Sequence, residues 1–168
     1  MQVTVRKASH ADIEVLVDLY EAMEAEQVSR KPIWALIDGL DKPFRETLSQ
    51  MISSDDVWLH VGEIDGAPVG FISASVRGTL SRSHGLRIGT IDLIYTDPDA
   101  RGVGVGDHML EDVLADLREM GITHFDAPVG PGQRLTKNFF EGHEFAARSL
   151  VMHHSDDPET VRSDVEPT

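Results

Sequence analysis

Between positions 97 and 110 the chain reads Asp-Pro-Asp-Ala-Arg-Gly-Val-Gly-Val-Gly-Asp-His-Met-Leu, which places Arg101, Gly102, Gly104 and Gly106 within six residues. Glycines lack a Cβ and let a ligand approach the main chain closely, and arginine adds a fork of charged donors. Upstream, Ile88 to Thr96 is apolar and β-branched and is stopped by Asp97-Pro98, which predicts a buried strand ending in a turn. Downstream, Met109, Leu110, Val113, Leu114 and Leu117 recur at helical spacing, and Gly121 marks the expected helix end. The glycines therefore fall at the first turn of a helix. There the leading N–H groups lack internal partners and the macrodipole is positive, so the position suits an anion such as a diphosphate.

Spacing separates the motifs that use this device. A P-loop requires Gly-Lys followed by Ser or Thr, whereas Gly106 is followed by Asp107 and His108. A dinucleotide fingerprint requires its third glycine at position 107, where Asp107 stands, and its strand usually opens the domain. What remains is Arg-x-x-Gly-x-Gly, read as Arg101, Gly104 and Gly106 after a strand and a Pro-containing turn.

That pattern, within the longer phrase YTDPDARGVGVGDHML, resembles the acyl-CoA pyrophosphate loop of the GNAT N-acetyltransferase superfamily. The likeness covers about residues 88 to 121. It continues more weakly through Thr136-Lys137-Asn138-Phe139-Phe140-Glu141-Gly142-His143-Glu144-Phe145, and before residue 80 it lies only in the order of elements. The resemblance implies acetyl-CoA as donor, with the pyrophosphate cradled by Arg101, Gly102, Val103, Gly104, Val105, Gly106 and Asp107. It also implies that the pantetheine arm pairs with the backbone of Ile94, Tyr95 and Thr96, an addition of a ligand strand that depends on main-chain groups. Gln133, Asn138 and Phe140 take the family's later cofactor-binding positions.

An amine acceptor must lose a proton before it attacks. With a pKa of about 10.4 a lysine-like ammonium lies some 3.4 units from neutral at pH 7, or roughly 4.6 kcal/mol. The family commonly uses a carboxylate on or near the central strand. Asp92 fits that position, because two-residue alternation puts it on one face with Thr90 and Ile94 and sends Tyr95 to the other. Glu63, near the end of an expected hairpin strand, is the reserve, ahead of His60 and His84. A structural role for Asp92 stays open beside the catalytic one. Three residues depart from the family pattern: Phe140 replaces a tyrosine that protonates the leaving thiolate, Gln133 stands where asparagine is common, and Glu144 where glycine is usual. A thiol with pKa near 8.5 leaves tolerably as thiolate, so losing an acid worth about 10²- to 10⁴-fold reduces activity without abolishing it.

Those residues need elements to hold them. Gln2 to Lys7 alternates as a strand, and Ser9 with Asp12 forms a capping-box-like start to a helix carrying Ile13, Leu16, Val17 and Tyr20 on one face. A second helical region spans about Pro32 to Ser53, broken near Gly39 and Pro43. Val57 to Ile64 and Pro68 to Val76 flank Asp65-Gly66, a hairpin signal, and Arg77 to Arg87 reads as a polar loop. Ile122 to Val129 reads as a strand, Gln133 to Gly142 as a short helix and Phe145 to His153 as a last strand. The expected fold is one α/β domain over residues 1–154, a GNAT-like mixed sheet of six to seven strands with helices on both faces. An acidic tail, 155–168, is expected to be disordered.

Composition limits the partners. Lys and Arg total 15 against 29 Asp and Glu, a net charge of −14, and only four of the basic residues are lysine. No basic cluster is present, so nucleic acid is an unsuitable partner. The acidity attracts a cationic amine or confers solubility in a salty cytoplasm; its even spread favours the latter, since in molar salt the Debye length falls to about 3 Å and steering fades. There is no apolar run of membrane-spanning length and no secretion signal, so a cytoplasmic location is expected. No cysteine is present, and the eight histidines show no metal-site spacing, so no metal is assigned. The acceptor is a small-molecule or peptide amine, and the resemblance puts its pocket around Tyr20, Glu24 and Trp34; a homodimer is left open. The alternative is a sensor that binds acyl-CoA with little or no turnover, a reading supported by Phe140.

Overall fold

β1 (Val3–Lys7), β2 (Val57–Ile64), β3 (Ala67–Gly78), β4 (Arg87–Thr96) and β5 (His124–Asp126) form one mixed sheet in the order β1-β2-β3-β4-β5. The computed structural model describes residues 1–31, 33–130 and 132–157. Pro32, the expected start of the second helical region, and residues 158–168 of the expected tail lie outside the described residues. The chain divides into two compact units, one of Met1–Glu21 with Lys42–Pro128 and one of Ala22–Asp41 with the residues from Val129 onward.

The first unit holds the whole sheet. Its first three strand pairs are antiparallel, and β4 and β5 are parallel, joined through helix α4 (Val105–Glu119). The Asp65-Gly66 turn joins β2 to β3, as its sequence predicts, with both residues at positive φ (50° and 82°). Helix α4 buries Val105, Met109, Leu110, Val113, Leu114 and Leu117, the positions that helical periodicity selects. It lies on the sheet face that carries His60, Gly62 and Gly89: His60 bonds to Asp112, and a Cβ at Gly62 would stand 2.7 Å from Val105. The opposite face is also covered, since Val61 and Phe71 are fully buried there. α1 begins at Ile13 and α3 (Phe44–Ser53) packs against β2, with Tyr20 of α1 edge-on to Phe44 at 4.7 Å.

Ahead of α1, the Asp12 carboxylate accepts the Ser9 N–H at 2.7 Å, realising the expected capping box. Asp12 also accepts both terminal nitrogens of Arg6, at 2.8 and 2.7 Å, and Arg6 Nε donates to Glu63 at 2.8 Å. The Arg6 hydrogen bonds, reinforced by those from Ser9, hold the Asp12 carboxyl down at about 2 against the opposing effect of burial. β1, the start of α1 and β2 are thus fastened at one point.

The second unit contains the end of α1, which runs to Arg30, the single turn α2 (Trp34–Ile37) and α5 (Arg134–Gly142). Five strands stand where six to seven were expected. Phe145 to His153 forms no strand: Leu150, Val151 and Met152 are consecutive and 74%, 85% and 83% exposed, so the run lacks the alternation that gives a strand a buried face. The strand expected over Ile122 to Val129 is cut to His124–Asp126, because Pro128 has no N–H to donate to a ladder.

Candidate active site

The anion-binding turn takes its shape from backbone geometry. Gly102 and Gly104 adopt φ of 83° and 89°, the left-handed region that a side chain makes costly, and Gly104 is the N-cap of α4. Val105 and Gly106 supply the first amides of the helix, and Asp107 and His108 follow on its exposed side. His108 bonds back to the Gly104 carbonyl through its ring Nδ1 at 2.8 Å, closing the turn. Val103 lies at the exposed tip. Arg101 Nε donates to the Thr96 carbonyl at 2.9 Å, and its guanidinium stacks over the Tyr95 ring at 5.5 Å.

β4 leads into this turn with one edge open. β5 pairs with it only at Ile88, Gly89 and Thr90, and among the described residues no strand accompanies β4 beyond Thr90 on that side. The Asp97 N–H donates to Val69, so by antiparallel alternation Phe71 and Tyr95 form a hydrogen-bonded pair while Ile94 and Thr96 turn their peptide groups away from β3. Of the three residues expected to pair with a ligand arm, Ile94 therefore turns its N–H and carbonyl to the open edge, and Thr96 its N–H, its carbonyl being held by Arg101. Tyr95 spends its backbone on β3.

Asp92 sits at a break in the β3–β4 register. Ser73 pairs with Leu93 and Ala74 with Ile91, so Asp92 is the extra residue of a β-bulge. The bulge corrects the expected faces. Thr90 pairs with Ser75 on the face of Phe71, whereas Ile94 pairs with Ile72 on the face of α4. Asp92, at the bulge between them, therefore cannot share one face with both Thr90 and Ile94. Although the residue is exposed, burial raises the pKa of its carboxyl, opposed by the nearby Ser75 hydroxyl, which favours the charged form. The bulge itself gave no signal in the sequence, since it arises from the pairing of two strands.

Other expected residues lie elsewhere. Glu63 is 8% exposed and held by Arg6 and by the Thr4 hydroxyl at 3.3 Å, a structural setting. Tyr20 is fully buried. In the second unit Glu24 and Trp34 are half-buried, and Asn138 is exposed on α5. Gln133 accepts the Gly130 N–H at 2.6 Å and donates to Gln27. Phe140 is 4% exposed between Phe139 and Phe145, with ring centres 5.2 and 5.1 Å away. Among the described residues no cluster of His, Cys, Asp and Glu could hold a metal ion, and no helix is long and apolar enough to cross a membrane.

Comparison with known proteins shows the family. The chain is 28% identical over 124 residues to the peptidyl-lysine N-acetyltransferase YjaB of Escherichia coli (strain K12), covering 71% of this chain and 69% of that protein. It is 26% identical over 118 residues to YjaB of Salmonella typhimurium, covering 68% of this chain and 66% of the relative, just under two thirds of its length. In fold it is similar to AAC(6')-Iy, solved in complex with the bisubstrate analog CoA-S-monomethyl-acetylneamine, at a TM-score of 0.72 and 14% identity over 94% of this chain and 99% of that one. Residues 16–145 match the acetyltransferase (GNAT) family, and the chain belongs to it.

Proposed function

We propose that the protein transfers the acetyl group of acetyl-CoA directly to a primary amine of a small molecule or peptide. One arrangement carries this reading: the left-handed Gly102 and Gly104 open α4 next to a strand edge where Ile94 presents its N–H and carbonyl and Thr96 its N–H. The turn suits a diphosphate and the edge suits an amide-bearing arm, so together they match the two chemistries of coenzyme A. A lysine side chain is the acceptor that the YjaB relatives suggest.

In this reaction Asp92 accepts a proton from the acceptor ammonium. The freed lone pair attacks the thioester carbonyl, the nitrogen sheds its second proton to solvent, the C–S bond breaks, and coenzyme A leaves as thiolate. Its proton comes from solvent, because Phe140 has none to give. A carboxyl whose pKa is raised toward working pH is a better base than an ordinary aspartate. Glu63, already committed to Arg6, is left outside this role.

Thiol release from acetyl-CoA, measured across a panel of amines that includes a lysine-containing peptide, tests the proposal. Turnover is expected with at least one amine. Acetyl-CoA binding without turnover on any of them would favour the second reading, a CoA-responsive sensor, for which Phe140 is the supporting observation. Gly104→Glu is expected to abolish acetyl-CoA binding by calorimetry. Gly104→Ala, which carries the same left-handed strain of about 1–2 kcal/mol without the charge, should weaken it less.

A further inference from the structure

Helix α4 rests on a strip of glycines. A Cβ at Gly62 would stand 2.7 Å from Val105, one at Gly70 would stand 3.1 Å from Met109, and one at Gly89 would stand 2.9 Å from Leu117. Bare backbone lets a helix approach closely but offers no side chains to interlock with, and apolar contact has no direction of its own. From the same face rises His60, two residues before Gly62 on β2 and 3% exposed. Its Nδ1 donates to Asp112 of α4 at 2.6 Å, since an ionised carboxylate can only accept. Its Nε2 is buried and lies 3.4 Å from Asp116, one helical turn further on, without a hydrogen bond among the described residues. Lys7 of β1 and the fully buried Ile72 of β3 flank it in register. A buried imidazole with one nitrogen unsatisfied costs stability, so packing alone would favour leucine at position 60.

We propose that His60 is a positioning residue for coenzyme capture, its bond to Asp112 fixing α4 along the sheet so that the turn from Gly102 to Gly106 stands where a diphosphate can meet its amides. The proposal rests on the reading of that turn as the coenzyme site. α4 is one uninterrupted helix from Val105 to Glu119, so a slide by one residue carries its first amides about 1.5 Å. A short bond from a buried side chain resists that slide, because hydrogen bonds weaken steeply as they bend. His108 ties the turn to α4 through the Gly104 carbonyl, and His60 ties α4 to the sheet. A second tie lies at the far end, where the exposed Arg87 of β4 donates to the Met120 carbonyl at 2.9 Å.

The test uses His60→Leu, His60→Asn, Asp112→Ala and the double variant His60→Leu/Asp112→Ala in the full chain. His60→Leu should weaken acetyl-CoA binding in calorimetry by about tenfold and raise KM for acetyl-CoA in proportion, with kcat on the best amine of the panel unchanged and the melting temperature equal or higher. His60→Asn, whose amide nitrogen takes roughly the place of Nδ1, should restore most of the affinity. Asp112→Ala removes the half-exposed partner and should match His60→Leu, and the double variant should bind no more weakly than either single one. In the ligand-free protein the NMR amide signals of Gly104 and Gly106 should shift in both single variants. If folded His60→Leu and Asp112→Ala bind acetyl-CoA like the parent, the histidine is merely structural, whatever the melting temperature does, and the proposal is wrong. A fall in kcat at unchanged KM would also overturn it, by placing His60 in the chemistry itself. If the parent protein binds no acetyl-CoA, the coenzyme reading fails instead, and the glycine signals still decide whether the tether sets the turn.

Discussion

Asp92 combines exposure, a raised pKa and a position that no β3 residue opposes, and, if it is the proposed proton acceptor, these properties pull stability and activity in opposite directions. Its folded pKa lies above the unfolded value, so the protonated form is favoured by folding and the ionised form, present at higher pH, is a burden. Asp92→Asn removes that burden. Chemical denaturation at pH 7 should therefore show the variant at least as stable as the parent, and the advantage should vanish as pH falls through the Asp92 pKa. Turnover of the variant should drop by about 10²- to 10⁴-fold. Glu144 presents the reverse case. It follows α5 with φ of 66°, left-handed backbone that explains why glycine suits this position. Glu144→Gly should raise the unfolding free energy by up to about 1 kcal/mol in urea titrations, the relief being offset in part by the greater freedom of glycine in the unfolded chain.

Most elements were legible from periodicity and punctuation. The α4 stripe, the Asp65-Gly66 hairpin and the Ser9–Asp12 start all act within a few residues, where sequence spacing and physical contact coincide. Two-residue alternation failed at β4, because a bulge is a property of a strand pair and neither Asp92 nor Ser73 announces it alone. The setting of Glu63 was hidden for a similar reason: its partner Arg6 comes from a strand 57 residues away. That network makes its own prediction. Since the Asp12 pKa is lowered to about 2, its contribution to stability is complete above about pH 4 and is lost as pH falls toward 2. Acid unfolding monitored by circular dichroism should flatten over that window in Asp12→Asn. Removing the shared guanidinium in Arg6→Ala should cost about 2–4 kcal/mol by stranding two largely buried carboxylates.

At the scale of the whole chain, a net charge of −14 with four lysines sets a repulsion that salt relieves. The melting temperature should rise when sodium chloride is increased from about 0.1 to 2 M, over which the Debye length shrinks to a few ångströms; an unchanged value would remove salt adaptation as the reason for the acidity. The same charge opposes an incoming diphosphate, which gives the preset turn more to do. Gly102 and Gly104 already hold their left-handed angles, and Arg101 is already anchored to Thr96 and Tyr95. Little conformational freedom is left to surrender on capture. The open stretch of β4 has a different consequence. An unpaired strand edge is a template for a passing strand, so the stretch of β4 beyond Thr90 is a seam that, on the proposed function, coenzyme would seal. Purification and storage in the presence of coenzyme A should accordingly yield the better-behaved material.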